Sequence, residues 1–122
     1  MHILVGIGCD IEKTQRFKGV IKNREFLSNI FTDAELQYCL KQKSPEAYLA
    51  CHFVCKEAVF KALSSMGERI PLKFIEILTK GRGKRSVRIS TKGMPRAYRI
   101  FVETVITGDL AIACSVAEKN RK

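Results

Sequence analysis

The sequence predicts an α+β fold in a single domain, and three observations carry that expectation. Helix-start signals crowd the first half, where Thr32-Asp33-Ala34-Glu35 and Ser44-Pro45-Glu46 each precede an apolar run. From Phe74 onward the pattern changes to short alternating stretches rich in β-branched residues, the habit of half-exposed strands. The chain has 122 residues, 46% of them apolar, which suits one core, and no linker is long enough to divide residues 1–122. Helices followed by strands indicate an N-terminal strand and helices packed on a mainly antiparallel sheet.

Each element has its own grounds. His2 to Cys9 is an Ile/Val-rich run that reads as a buried strand, with Asp10 marking its C-terminal end. Glu12 to Lys22 reads as a short helix or turn. At Thr32 the hydroxyl can accept from the free amide of Glu35 while the Glu35 carboxylate reaches back, so a helix is expected from Asp33 to about Lys41. Ser44 then serves as N-cap and Pro45 as first helical residue, where a missing N–H costs nothing. That second helix should reach about Ser64, stopped by Gly67 and Pro71.

Phe74 to Leu78 and Ser86 to Ser90 read as strands joined by the Lys80–Arg85 loop. Gly93-Met94-Pro95 opens a short helical or irregular piece. Tyr98 to Ile106 and Leu110 to Ala117 form an expected antiparallel pair, turning at Thr107-Gly108-Asp109.

Composition narrows the function classes. No run approaches the length of a membrane span, and Lys41, Lys56 and Lys61 interrupt the longer apolar stretches. The run after His2 is too short, and too soon followed by Asp10 and Glu12, to be a signal peptide, so a cytoplasmic protein is expected. Five cysteines at 9, 39, 51, 55 and 114 lack a regular spacing. Cys51 and Cys55 stand one helical turn apart, but no further cluster completes four zinc ligands, and reduced core thiols are the plainer reading. A net charge of +10 calls for an acidic partner, and nucleic acid, an acidic protein or a phosphorylated small molecule all fit.

The chemistry concentrates in Ala50–Leu63. Glu57 and Lys61 stand four residues apart, and so project from nearly the same face of an otherwise apolar helix. Asp10, at a strand end, supplies a second carboxylate. Magnesium needs only one or two protein carboxylates when a substrate brings phosphate oxygens, and an ammonium one turn away can neutralise charge on a phosphoryl group. The plainer alternative is a Glu57–Lys61 surface pair worth about 0.3 kcal/mol beside an ordinary turn-forming Asp10. Spacing alone favours that alternative. His52 reads first as a structural helix histidine, and neither histidine has the partners of a hydrolase triad. The Gly81-x-Gly83-Lys84 loop can approach a phosphate with backbone amides, or serve simply as a hairpin tip. Gly6-x-Gly8 alone is a weak dinucleotide signal.

Four segments, taken together, go further. Gly6-Ile7-Gly8-Cys9-Asp10-Ile11, Arg16, Phe31-Thr32-x-x-Glu35 and Tyr48-Leu49-Ala50-x-x-Phe53-x-x-Lys56-Glu57-Ala58-x-x-Lys61-Ala62-Leu63 closely resemble holo-acyl-carrier-protein synthase, the small bacterial class of 4′-phosphopantetheinyl transferases. The resemblance covers essentially the whole chain in order, loosely over the later strands. It implies the phosphopantetheinyl transferase fold. It further implies transfer of phosphopantetheine from coenzyme A to a serine of acyl carrier protein, in support of fatty acid biosynthesis.

By that resemblance Asp10 and Glu57 hold Mg²⁺ with the coenzyme A pyrophosphate, and Lys61 sits by the reacting phosphate. Arg16 docks the acidic carrier protein, and His52, Gly83, Lys84 and Thr107 join Lys61 in contacting coenzyme A. Family members are trimers with sites between subunits, so Asp10 and Glu57 can meet across an interface. The chain departs from the pattern at Ile106, where the family has histidine, at His52, where it has arginine, and at Arg85, where it has proline. The alternative from another class is a small basic nucleic-acid-binding module. Only 8% aromatic content, with none in the glycine-rich loop, speaks against it.

Overall fold

A twelve-residue strand opens the chain in the computed structural model, which describes residues 2–80, 83–90 and 98–121. This strand, β1 (His2–Lys13), leads through a 3₁₀ turn at Thr14–Phe17 to three helices: α1 (Arg24–Ser28), α2 (Asp33–Leu40) and α3 (Pro45–Ser64). A second 3₁₀ turn at Leu72–Phe74 precedes β2 (Ile75–Lys80) and β3 (Lys84–Ile89), and β4 (Tyr98–Thr107) and β5 (Leu110–Arg121) complete the order. Every pairing among the described residues is antiparallel. One sheet has the order β1-β5-β4, and β2-β3 stands as a separate two-stranded sheet. The architecture is α+β in one domain.

The capping box at Thr32 forms as the sequence indicates, with the Glu35 amide donating to the Thr32 hydroxyl and the Thr32 amide to the Glu35 carboxylate. Pro45 opens α3 as expected, although the Ser44 side chain makes no capping hydrogen bond. Several boundaries differ from expectation, with β3 starting at Lys84 inside the expected loop and β5 running on to Arg121. Helix α1, capped by Asn23 accepting from the Phe26 amide, carries no strong apolar period and is new. The Glu12–Lys22 stretch forms, after β1 ends at Lys13, the 3₁₀ turn at Thr14–Phe17 and the turn that follows, in line with the short helix or turn expected. Strand β1 continues past Cys9 to Lys13, which puts Asp10 inside the strand instead of at its end. Aspartate disfavours strands, but β5 supplies partners for the backbone through Lys13↔Leu110, and the Thr14 amide bonds the Asp109 carbonyl just beyond. Pairing overrides propensity. The piece expected at Gly93-Met94-Pro95 lies outside the described residues, as do Gly81 and Arg82.

Helix α3 is the centre of the molecule. Twelve of its residues are buried, from Leu49 to Leu63, on more than one face, so neighbours pack all round it. Strand β1 lies against it through Gly6 and Gly8. A Cβ at Gly8 would stand 2.0 Å from the Ala58 carbonyl oxygen, and one at Gly6 2.1 Å from that of Ala62. Only glycine lets the two backbones approach so closely. The Gly-x-Gly pair is therefore a packing device.

Lys56 belongs to the interior. Its ammonium donates to Glu35 Oε1 and to the Ile75 carbonyl, each at 2.6 Å, and the Ile77 amide donates to Glu35 Oε2 at 2.9 Å. His52 Nδ1 sits 3.3 Å from the same carboxylate. Burial pushes the Glu35 carboxyl up, but the His52 hydrogen bond, the Lys56 charge and the Ile77 amide together hold it below its usual range. This buried pair ties α2, α3 and β2 into one block.

Candidate active site

Where β1 crosses α3, just beyond Gly8, three charged side chains gather. Lys61 Nζ donates to the Cys9 carbonyl at 3.0 Å and to Asp10 Oδ1 at 3.2 Å. Glu57 stands one turn before Lys61 on α3, half-buried. Burial, and then the Asp10 charge, push its carboxyl above the usual range, against the opposing pull of Lys61 and Arg16. Two carboxylates from different elements thus feel each other within one chain, with an ammonium on one of them. The Glu57–Lys61 helix pair that spacing favoured is not the ion pair formed. Lys61 reaches across to the strand.

The local fold explains the gathering. Gly6 and Gly8 bring β1 into contact with α3, and the side-chain alternation of β1 turns Gly6, Gly8 and Asp10 to the helix side. Residues 57 and 61 share the face that meets the end of this contact. The site is open, with the Lys61 side chain about half exposed at 48%.

Arg16 lies at the rim on the 3₁₀ turn, exposed, paired with the Glu12 carboxylate and lying 5.3 Å over the Phe53 ring. Behind it a small apolar pocket of about 50 Å³ is lined by Phe17, Val20, Phe26, Ile30 and Phe53.

The other expected ligand contacts lie elsewhere. His52 is 1% exposed and engaged with Glu35, so its ring faces the core, away from any ligand outside the chain. The cause is helix phase: residues 52 and 56 share the inward face of α3, one turn apart, whereas 57 and 61 face β1. Gly83 and Lys84 sit on the β2-β3 hairpin, in the other sheet. Thr107 is exposed at the β4 end, paired with Leu110, while Asp10 pairs with Ala113 and Ala113 with Thr104. Thr107 is thus about 10 Å further along the ladder than the Asp10 row and two strands across. A single chain brings Asp10, Glu57 and Lys61 together and leaves Gly83, Lys84 and Thr107 apart from them.

Among the described residues no group of three or more His, Cys, Asp or Glu is placed to hold a metal by itself. Cys51 and Cys55 are buried, free thiols, and burial pushes the Cys55 thiol up to about 12. Among the described residues no helix is long and apolar enough to cross a membrane. The role of Glu35 as counter-ion to Lys56 is not legible in the sequence, where Glu35 counts as half of a capping box and as part of the family pattern. The available signal was Lys56 itself, an ammonium within an apolar helix that is costly to bury unless it is paired.

Residues 6–115 match the family model described as the 4′-phosphopantetheinyl transferase superfamily. A holo-[acyl-carrier-protein] synthase of Leptospira biflexa is 36% identical over 108 residues, covering 86% of this chain and 82% of that protein. The enzyme of that name from Clostridium perfringens is 38% identical over 126 residues, covering 95% of each. Among solved structures, the holo-(acyl-carrier-protein) synthase of Bacillus anthracis in complex with CoA (3′,5′-ADP) superposes with a TM-score of 0.78 at 26% identity, over 98% of this chain and all of that one, 100%. These relatives are enzymes, and they leave the nucleic-acid-binding reading without support.

Proposed function

This chain belongs to the 4′-phosphopantetheinyl transferase superfamily, as a member of its holo-[acyl-carrier-protein] synthases, and from that premise we propose how its residues divide the work. The substrate is coenzyme A, as in the Bacillus anthracis complex, and the acceptor is a serine of apo acyl carrier protein. The serine oxygen attacks the phosphorus that carries the pantetheine arm, and its proton passes to a base, an ordered water or one of the carboxylates Asp10 and Glu57. The pyrophosphate bond breaks, and adenosine 3′,5′-bisphosphate leaves.

One observation supports this assignment above the others: the Lys61 ammonium is held at the Asp10 carboxylate, with Glu57 close enough for Asp10 to raise its pKa. Two crowded carboxylates fit a divalent cation, because an added positive charge relieves their mutual repulsion. Asp10 and Glu57 would hold Mg²⁺, which supplies neutralisation of the pyrophosphate oxygens when bound. Lys61 is anchored by the Cys9 carbonyl at the base of this group, so its charge is pre-positioned for the phosphate as negative charge shifts to the leaving bisphosphate. Arg16 docks the acidic carrier protein, exchanging Glu12 for a carboxylate of the partner, and the net charge of +10 steers the encounter.

The assembly is a homotrimer. The outer face of the β1-β5-β4 sheet exposes Ile7 at 65%, Val5 and Ile11 at 55%, and Phe101 at 53%, an apolar surface of the kind that a partner covers. Contacts expected of Gly83, Lys84 and Thr107 then come from a neighbouring copy. The enzyme acts in the cytoplasm and serves fatty acid biosynthesis. The test is direct: with coenzyme A, Mg²⁺ and apo carrier protein, the carrier gains the mass of one phosphopantetheine. A carrier that stays apo with the folded enzyme overturns the reading.

A further inference from the structure

The middle rows of the outer face of the β1-β5-β4 sheet are uncharged except at one point. Side chains alternate along a strand, and β4 turns Phe101, Glu103 and Val105 to this face while Val102 is buried behind it. Glu103 stands opposite Cys114 of β5, and Cys114 opposite Cys9 of β1, so the carboxylate ends a row of two thiols. The rows on either side are apolar, with Val116 opposite Phe101 and Ile112 opposite Val105. Among the described residues no cation pairs with Glu103. The face's other charges lie at its margins. Arg99 pairs with Glu118 two rows to one side, and Lys13 stands opposite Leu110 two rows to the other. Two rows are about 13 Å, beyond the screening length of about 8–10 Å at ordinary ionic strength. Beside Glu103, a depression of about 210 Å³ between β4 and β5, bordered by Val105 and Ile112, offers a seat to an apolar side chain.

We propose that Glu103 is a proton-operated brake on self-association, resisting burial under a neighbouring copy of this chain until its carboxylate is protonated. The inference rests on the trimer reading above, in which this face is covered. In the single chain Glu103 is exposed, and its charge is hydrated. Under a second copy the charge would lie among Phe101, Val105 and the thiols with no cation beside it. A carboxylate taken out of water without a counter-charge takes up a proton instead.

The sign follows from linkage. Assembly takes up protons, so it is tightest at acid pH, where the carboxyl is neutral, and weakens as pH rises and the charge returns. Each chain contributes one proton, a factor of up to about ten per pH unit, so a trimer's association constant changes by up to about 10³-fold per unit. The hydrogen bond with Cys9 holds the Cys114 thiol above its ordinary range, which keeps it neutral across that window and leaves the effect to Glu103. Because the contacts expected of Gly83, Lys84 and Thr107 come from a neighbouring copy, a brake on assembly is also a brake on the completed site.

The experiment follows the full-length protein and Glu103→Gln by sedimentation equilibrium, from about pH 5.5 to about pH 8 at fixed ionic strength, a range above the ordinary carboxylate titration. Circular dichroism confirms that the variant folds. The parent's association constant should fall by at least about tenfold across the range. Glu103→Gln should associate at the upper pH at least as tightly as the parent does at the lower, with the slope removed. The brake is overturned if Glu103→Gln keeps the parent's pH slope. Trimers whose stability ignores both pH and the substitution overturn the brake alone and leave the trimer standing. Single chains at every pH, parent and variant alike, overturn the trimer and the brake with it.

Discussion

Lys61 Nζ lies 3.2 Å from Asp10 Oδ1, joining a helix to a strand that stand 51 residues apart in sequence. The bond places a cation where two carboxylates already crowd each other, and the candidate chemistry follows from that contact. Glu57 completes the group without pairing to its own helix neighbour.

Glu57→Gln should separate activity from stability. A carboxyl whose folded pKa is raised loses stability as pH climbs through the usual carboxylate range, because the folded state holds the proton more tightly than the unfolded one. Removing the charge should therefore leave the variant at least as stable as the parent at pH 7, with the difference closing at low pH where Glu57 is protonated. Phosphopantetheine transfer should fall by about 10²-fold or more. Thermal melts across pH, paired with a carrier mass assay, check both halves. Undiminished transfer with Mg²⁺ would sink the assigned role.

Lys56→Met should do the reverse. Removing one partner of a buried ion pair typically costs about 3–5 kcal/mol, since the other charge is left buried, and Glu35 would keep only His52 and the backbone amides. A fall in Tm of about 10 °C or more is expected, with the transfer rate of the folded fraction within a few-fold of the parent. Equal melting curves would show that the pair contributes little.

Gly8→Ala tests the close approach of β1 to α3. The added methyl meets the Ala58 carbonyl at 2.0 Å, backbone against strand, with no flexible side chain to yield. The cost should reach or exceed the about 1–3 kcal/mol usual for overpacking, and the strand's retreat should carry Asp10 away from Lys61. Denaturant titration reads the first effect and carrier modification the second. Parental values in both would mean that the backbone relaxes freely.

Arg16→Glu should act on the carrier protein and leave coenzyme A alone. At low salt the KM for carrier protein should rise about tenfold, and the gap should narrow as salt rises, because an exposed charge is screened. The KM for coenzyme A serves as the control. A change confined to coenzyme A would move Arg16 to the other substrate.

Ile7→Glu, at the most exposed large apolar residue of the outer sheet face, should break self-association. Sedimentation equilibrium should find trimers for the parent and single chains for the variant. A parent that sediments as a monomer removes the trimer from the account.

Much of this protein is legible in local pattern. The Thr32 capping box, the Pro45 start of α3 and the Tyr98–Ala117 hairpin rest on short-range chemistry, in which a hydroxyl meets an amide three residues away or a turn folds at glycine. The motif residues Asp10, Glu57 and Lys61 stand out as charges in apolar surroundings, and the family resemblance is what suggests the reaction proposed for them. Residue type and spacing carry that information without any knowledge of packing.

Tertiary structure alone decided the rest. Nothing local says that β1 pairs with β5 rather than β4, and that pairing carries β1 through Asp10 to Lys13 and sets Cys9 against Cys114. Lys56 and Glu57 are sequence neighbours, yet a helix turns about 100° per residue, so one meets Glu35 in the core while the other faces β1. His52 follows Lys56 inward for the same reason. Gly6 and Gly8 read as a faint dinucleotide signal, and only the contact with α3 shows that their missing side chains make room for a helix. Long-range contacts of this kind depend on which surfaces the folded chain brings together, a property of the whole sequence that no single window contains.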